Sequence, residues 1–145
     1  MSRVLAVDWG ERRVGVAVSD PGGVIATGLA TLEVRSRDDA VAQVAACARE
    51  VEAERVVVGM PLLMSGERGE AARAAQDFAD QLATTLAIPV ETYDERLTSA
   101  LSQRRLKEVG VRTGHARSRI DQGAAVVLLE SFLLRLRSRS ADPKP

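Results

Sequence analysis

Residues 4–20 read VLAVDWGERRVGVAVSD. Val4, Leu5, Ala6 and Val7 form an unbroken apolar run, the pattern of a strand buried on both faces, and the run stops at Asp8. A carboxylate is thereby predicted at the C-terminal edge of a strand. Trp9, Gly10 and the charged turn Glu11, Arg12, Arg13 lead into a second strand over 14–18, which Ser19, Asp20, Pro21, Gly22 and Gly23 punctuate as a turn. The stretch therefore predicts a β-hairpin with an acid in its crook. Asp also starts turns for purely local reasons, and an acid at one strand end favours that reading when taken alone. The other acids decide.

Outward from the hairpin, residues 24–34 are rich in β-branched and small apolar side chains and predict a third, antiparallel strand. Asp38 and Asp39 are expected to cap a helix reaching about Glu54, with Val41, Val44, Ala45, Ala48 and Val51 on one face. A buried strand follows over 55–59, then a loop over 60–69 punctuated by Pro61, Gly66 and Gly69. A second helix over 70–87 buries Ala75, Phe78, Ala79, Leu82 and Leu86, and a last strand covers 88–93. Asp94 and Glu95 then stand at that strand's end as Asp8 does at the first. A short helix over 98–108, a polar basic loop to Arg117 and a final helix over 119–137 complete one domain over 1–138, with 139–145 as a disordered tail. The fold class is α/β: a five-stranded mixed sheet, three strands in an antiparallel meander and two parallel crossover strands, flanked by helices. In such sheets ligands bind beyond the C-terminal ends of the parallel strands. The loop over 59–66 overhangs that edge but lacks the Lys-Ser/Thr ending of a phosphate-binding P-loop.

At 145 residues, 46% hydrophobic and 28% charged, the chain has an ordinary globular composition. No segment approaches the ~20 apolar residues of a membrane span, and the N-terminus lacks a signal-peptide core, so a cytoplasmic protein without membrane contact is expected. Cys47 has no partner for a disulfide or a cysteine zinc site and is expected to be a small buried hydrophobe. His115, the one histidine, is expected in a solvated loop. The zero net charge hides an asymmetry: residues 1–95 carry 9 basic and 16 acidic side chains, residues 96–139 carry 10 and 3. Arg supplies 18 of the 20 cations, and its planar fork suits phosphate. A polyanionic partner, nucleic acid, follows from that clustering.

A third acid comes from the last helix. Ala125, Leu128 and Phe132 follow Asp121 at four, seven and eleven residues, so Asp121 heads the stripe that packs on the sheet. Ser118 and Asp121 also have capping-box spacing, in which the acid only satisfies helix-end amides, and taken alone the two readings are evenly matched. Convergence favours the first. Three acids aimed at one sheet edge repel one another without a cation between them, and an all-oxygen cluster suits Mg²⁺ or Mn²⁺.

These residues resemble the YqgF family, also called RuvX, a branch of the ribonuclease H-like superfamily near the Holliday junction resolvases. The matching motifs are Asp8, Trp9, Gly10 with Arg13, Gly15 and Ala17; Ser19 and Asp20; Val58, Gly59, Met60, Pro61 and Leu62 with Gly66; Asp94, Glu95, Arg96, Leu97 and Thr98; and Arg119, Ile120, Asp121 before Ala124 and Ala125. The resemblance implies a ribonuclease H-like fold in which Asp8, Glu95 and Asp121 form a metal-binding catalytic triad for two-metal phosphodiester hydrolysis. Gln122 and Arg119 depart from the family's usual serine and lysine. Strand alternation leaves either Asp94 or Glu95 able to face the site; the family favours Glu95, with Asp94 orienting Arg96 or capping the next turn. Arg12, Arg13, Arg96 and Arg119 are the candidates for phosphate contacts. Most of the four aromatics are expected in the core, so structured nucleic acid would be read by shape and backbone. Pre-16S rRNA ends and branched DNA both stay open as substrates. Two symmetric cuts in a junction would call for a homodimer. An actin-like ATPase is disfavoured by the single lobe, and a noncatalytic RNA-binding or transcription-associated module by the intact acids.

Overall fold

The computed structural model describes residues 3–62, 65–98 and 114–141, of which 114–122 and 140–141 are described by backbone alone. Five strands form one sheet in the order β3-β2-β1-β4-β5: β1 Arg3–Asp8, β2 Arg13–Ser19, β3 Ala26–Glu33, β4 Ala53–Met60 and β5 Val90–Asp94. β1, β2 and β3 pair antiparallel in a meander, while β4 lies parallel between β1 and β5. The mixed sheet read from the sequence is therefore the one observed. β2 and β3 slip register between Val16 and Ala17, leaving Leu29 as a bulge on the sheet's outer strand.

Helices α1, Arg37–Glu50, and α2, Glu70–Thr85, cover one face; α3, Gly114–Ala141, crosses the other, packing chiefly on β1, β2 and β3. The unbroken apolar runs follow from this sandwich. Leu5, Val7, Val56 and Val58 face α1 and α2 around Phe78 and Leu82. Val4, Ala6, Val57 and Tyr93 face Ala125, Leu128, Leu129 and Phe132 of α3. Stacking two helical layers on one sheet removes both faces of the central strands from water, at ~25 cal/mol per Å² of apolar surface buried.

Several boundaries differ from the sequence reading, each for a local reason. Ser36, not Asp38 or Asp39, caps α1: its side chain accepts from the Asp39 N–H at 3.1 Å, while the Asp39 carboxylate accepts from the Arg35 N–H at 2.9 Å. The helix stops at Glu50 because Glu52 turns left-handed at φ 55, after which β4 begins at Ala53. At the other end of the chain, α3 begins at Gly114 and runs to Ala141, so it includes residues assigned by sequence to the loop and to the tail. Ser118 lies inside this helix rather than at its start, which removes the capping-box reading of Asp121. The helix expected over 98–108 falls almost wholly outside the described residues; what precedes it is a 3₁₀ turn, Glu95–Leu97. Cys47 is half-buried on α1, where burial raises its thiol pKa.

Candidate active site

The site grows from the sheet register. Val7 pairs with Val58, so one residue on, Asp8 comes level with Gly59 on the neighbouring strand. Ala6 and Val57 face α3, and alternation places Asp8 and the open side of Gly59 on that same face. From β5 the chain turns through Glu95, whose carboxylate lies over Gly59: a Cβ there would come within 2.5 Å of Glu95 Oε1. Asp8 on β1 and Glu95 after β5 thus reach toward β4 from either side, and the missing side chain of Gly59 makes room for the Glu95 carboxylate. Asp121 is on α3 one turn before the buried Ala125, at the register of Leu128 and Phe132, which face the sheet; its side chain is outside the described residues. Among the described residues no group of three His, Cys, Asp or Glu side chains forms a metal site. The two described acids supply oxygen donors only, and this suits a hard divalent cation.

Asp94 performs both roles that its position allowed. Its Oδ1 accepts from the Arg96 N–H at 2.9 Å, capping the 3₁₀ turn. Both carboxylate oxygens also take the Arg96 guanidinium, through Nε at 3.1 Å and Nη2 at 2.8 Å. The Arg96 contact holds the Asp94 carboxyl below its usual pKa. Gly66, left-handed at φ 89, brings the 65–69 segment against Arg96, its Cβ direction 3.4 Å from Nη1. Thr98 closes the turn by donating to the Glu95 carbonyl at 2.6 Å.

The remaining motif residues build the frame. Trp9 stacks on Phe78 with centroids 4.7 Å apart, and Tyr93 meets Phe132 edge-on at 5.7 Å. Gly10 is required because any Cβ would collide with the Arg13 carbonyl oxygen in the hairpin crook. Ser19 and Asp20 lie at the opposite end of the sheet: the Ser19 hydroxyl accepts from the buried Val4 N–H at 2.9 Å. Asp20 accepts from the N–H groups of Val24 and Ile25 at 2.7 and 2.8 Å, and these bonds lower its pKa.

Of the expected phosphate-binding residues, Arg96 flanks the β5 side of the acids, while Arg12 in the β1–β2 turn and Arg13 at the start of β2 are on the other. Arg119 is on α3 with its side chain outside the described residues. Two positions near the site carry no role in the sequence reading. Gly59 is read as the end of the buried strand and as part of a motif, but not as the point where another group approaches closely, which a glycine ending a buried strand signals. Arg35 joins Arg12 and Arg13 in a groove through the tertiary pairing of β2 with β3, for which local sequence has no signal. Part of the C-terminal basic charge has a structural use, since Arg139 is in the last turn of α3, where the helix dipole favours cations.

A family profile described as RuvX, Holliday junction resolvase, matches residues 2–135. A Chloroflexus aurantiacus protein named as a pre-16S rRNA nuclease is 44% identical over 130 residues, covering 90% of this chain and 85% of its own. A Mycobacterium sp. (strain KMS) protein of the same name is 45% identical over 143 residues, covering 97% and 85%. Among solved structures, T. thermophilus RuvC in complex with a Holliday junction substrate superposes with a TM-score of 0.61 at 15% identity, covering 95% of this chain and 98% of that one. That likeness establishes a shared fold, the ribonuclease H-like fold.

Proposed function

Because the chain belongs to the RuvX family, we propose that it is a divalent-metal-dependent nuclease that hydrolyses phosphodiester bonds in structured nucleic acid. The observation that carries this is the pairing of Asp8 and Glu95 across Gly59 on the face covered by α3. Asp8, Glu95 and Asp121 are the residues that hold Mg²⁺ or Mn²⁺ on this reading. When bound, such ions would supply Lewis-acid chemistry, lowering the pKa of an attacking water and stabilising the leaving 3′ oxygen. Clustered carboxylate oxygens are the donors that a hard divalent cation prefers.

The protein's own groups orient the substrate. Asp94 occupies Nε and one Nη2 proton of Arg96, which fixes the plane of the guanidinium and leaves Nη1 for a phosphate oxygen. Arg12 and Arg13 grip the backbone on the far side of Asp8, and Arg119 serves near Asp121. Trp9 is committed to Phe78 and Tyr93 to Phe132, so neither offers a platform for base stacking. Recognition by shape and backbone follows.

Pre-16S rRNA ends are the first substrate to examine, given the names of relatives that match most of the chain. Branched DNA is the second, and its symmetric cleavage would use a C₂ homodimer. The test is cleavage of a pre-16S rRNA leader and a four-way DNA junction, side by side, with Mg²⁺, Mn²⁺ or chelator. Metal-dependent cleavage of at least one is expected. Binding of both without cleavage of either would favour a noncatalytic module, and nucleotide hydrolysis without either would favour an ATPase.

A further inference from the structure

β3 runs parallel to β1, so the end of β3 lies at the same sheet edge as Asp8, and the junction from β3 to α1 faces the β1–β2 turn across a groove. Arg12, Arg13 and Arg35 line it, with Glu11 and Glu33 among them. The backbone carrying these arginines is pinned: the Val34 N–H donates to the Arg12 carbonyl at 2.9 Å, and Gln43 donates to the Glu33 carbonyl at 2.9 Å. Asp39 of α1 accepts from the Arg35 N–H and from Gln43, and with a smaller contribution from the Arg35 charge these hold its carboxyl below the usual pKa. Among the described residues no ion pair or side-chain hydrogen bond engages the guanidinium groups of Arg12, Arg13 or Arg35.

The groove is open and has a volume of about 1110 Å³. Small-molecule sites are enclosed and mostly apolar, at roughly 300–1,000 Å³, whereas the walls here are chiefly charged. Those features suit a stretch of polymer backbone. At the opposite end of the sheet Glu50, Glu52 and Glu54 stand with Arg3, three acids against one cation, which disfavours a polyanion there.

We propose that this groove is a secondary subsite that holds phosphates of the cleaved strand away from the scissile bond, with Arg35 as its outermost contact. It rests on the nuclease reading above. From Gly59 on β4 to β3 is three strand spacings, about 14 Å, and at about 3.4 Å of helix axis per nucleotide this is about four nucleotides from the cut. Three arginines against two glutamates leave a net charge of +1, so the contact is with one or two phosphates.

The test compares the wild type with Arg35→Ala and Arg35→Lys, on RNA leader and DNA junction substrates whose flank either extends past the groove or is trimmed to two nucleotides from the cut. On the extended substrate Arg35→Ala is expected to raise KM and Kd about fivefold to tenfold, the loss of one charge-assisted contact. The slope of log Kd against log salt should fall by about 0.7–0.9, with kcat unchanged and partial recovery in Arg35→Lys. On the trimmed substrate the three proteins should match. Equal Kd and equal salt slope on the extended substrate, with melting temperatures alike, would overturn the subsite. If the wild type binds without cleaving, the same shift in Kd would support the groove while the nuclease reading fails. If it binds neither substrate, both fall.

Discussion

The carboxylate of Glu95 occupies the space that a side chain at Gly59 would fill, 2.5 Å from its Cβ position. Gly59 is buried in β4 with no left-handed φ, so alanine fits the backbone there and only the Glu95 side chain must move. Gly59→Ala is therefore expected to keep stability within ~1 kcal/mol while lowering cleavage at least about tenfold by displacing a ligand group. Thermal melting and single-turnover cleavage check the two halves. Normal cleavage by a folded Gly59→Ala protein would show that the position of Glu95 over β4 is irrelevant to the chemistry.

Arg96 depends on geometry as well as charge. Lysine cannot reproduce the two-nitrogen fork that Asp94 engages. Arg96→Ala and Arg96→Lys are both expected to raise KM by about tenfold, with little effect on melting because the pair is partly exposed. Full activity in Arg96→Lys, read from steady-state kinetics, would reduce Arg96 to a point charge.

Ser19 answers a buried donor at the start of β1, far from the acids. Ser19→Ala leaves the Val4 N–H without its hydroxyl partner and is expected to cost about 1–3 kcal/mol. Denaturant unfolding measures this, and cleavage per folded molecule should stay at the wild-type value. A drop in kcat at unchanged stability would mean that the Ser19 and Asp20 motif acts in catalysis.

Asp20 gives the pH dependence a sign. Its backbone hydrogen bonds lower the folded-state pKa from 3.8, so the unfolded chain binds the proton first as pH falls. The stabilisation is present above the unfolded pKa and disappears as pH drops through the folded one. Wild-type melting temperature should consequently fall more steeply below about pH 4 than that of Asp20→Asn. Parallel curves between pH 5 and 2 would contradict the assignment.

The sheet was legible because apolar runs at 4–7 and 56–58 can be satisfied only by helices on both faces, and Asp8 and Asp94 end strands as their positions implied. The bounds of α3 were not legible. His115 and Arg117 read as loop in isolation, yet the helix containing them is continuous with the stripe from Ala125 to Phe132 that the sheet buries. The close approach of Glu95 to Gly59, and of Arg35 to Arg12, depends on register between strands distant in sequence. Local pattern has no access to it.

The central claim is that Asp8, Glu95 and Asp121 act together on a bound divalent ion. Asp121 belongs to the helix interior, since α3 begins at Gly114, so Asp121→Asn removes a charge without removing a cap. The decisive measurement is Mn²⁺-dependent cleavage by Asp121→Asn, beside Asp8→Asn and Glu95→Gln, with melting recorded in the absence of metal. Cleavage should collapse in all three while each melts at or above the wild-type temperature, because one of a set of repelling charges has gone. Near-normal cleavage by a folded Asp121→Asn protein would contradict the three-acid site.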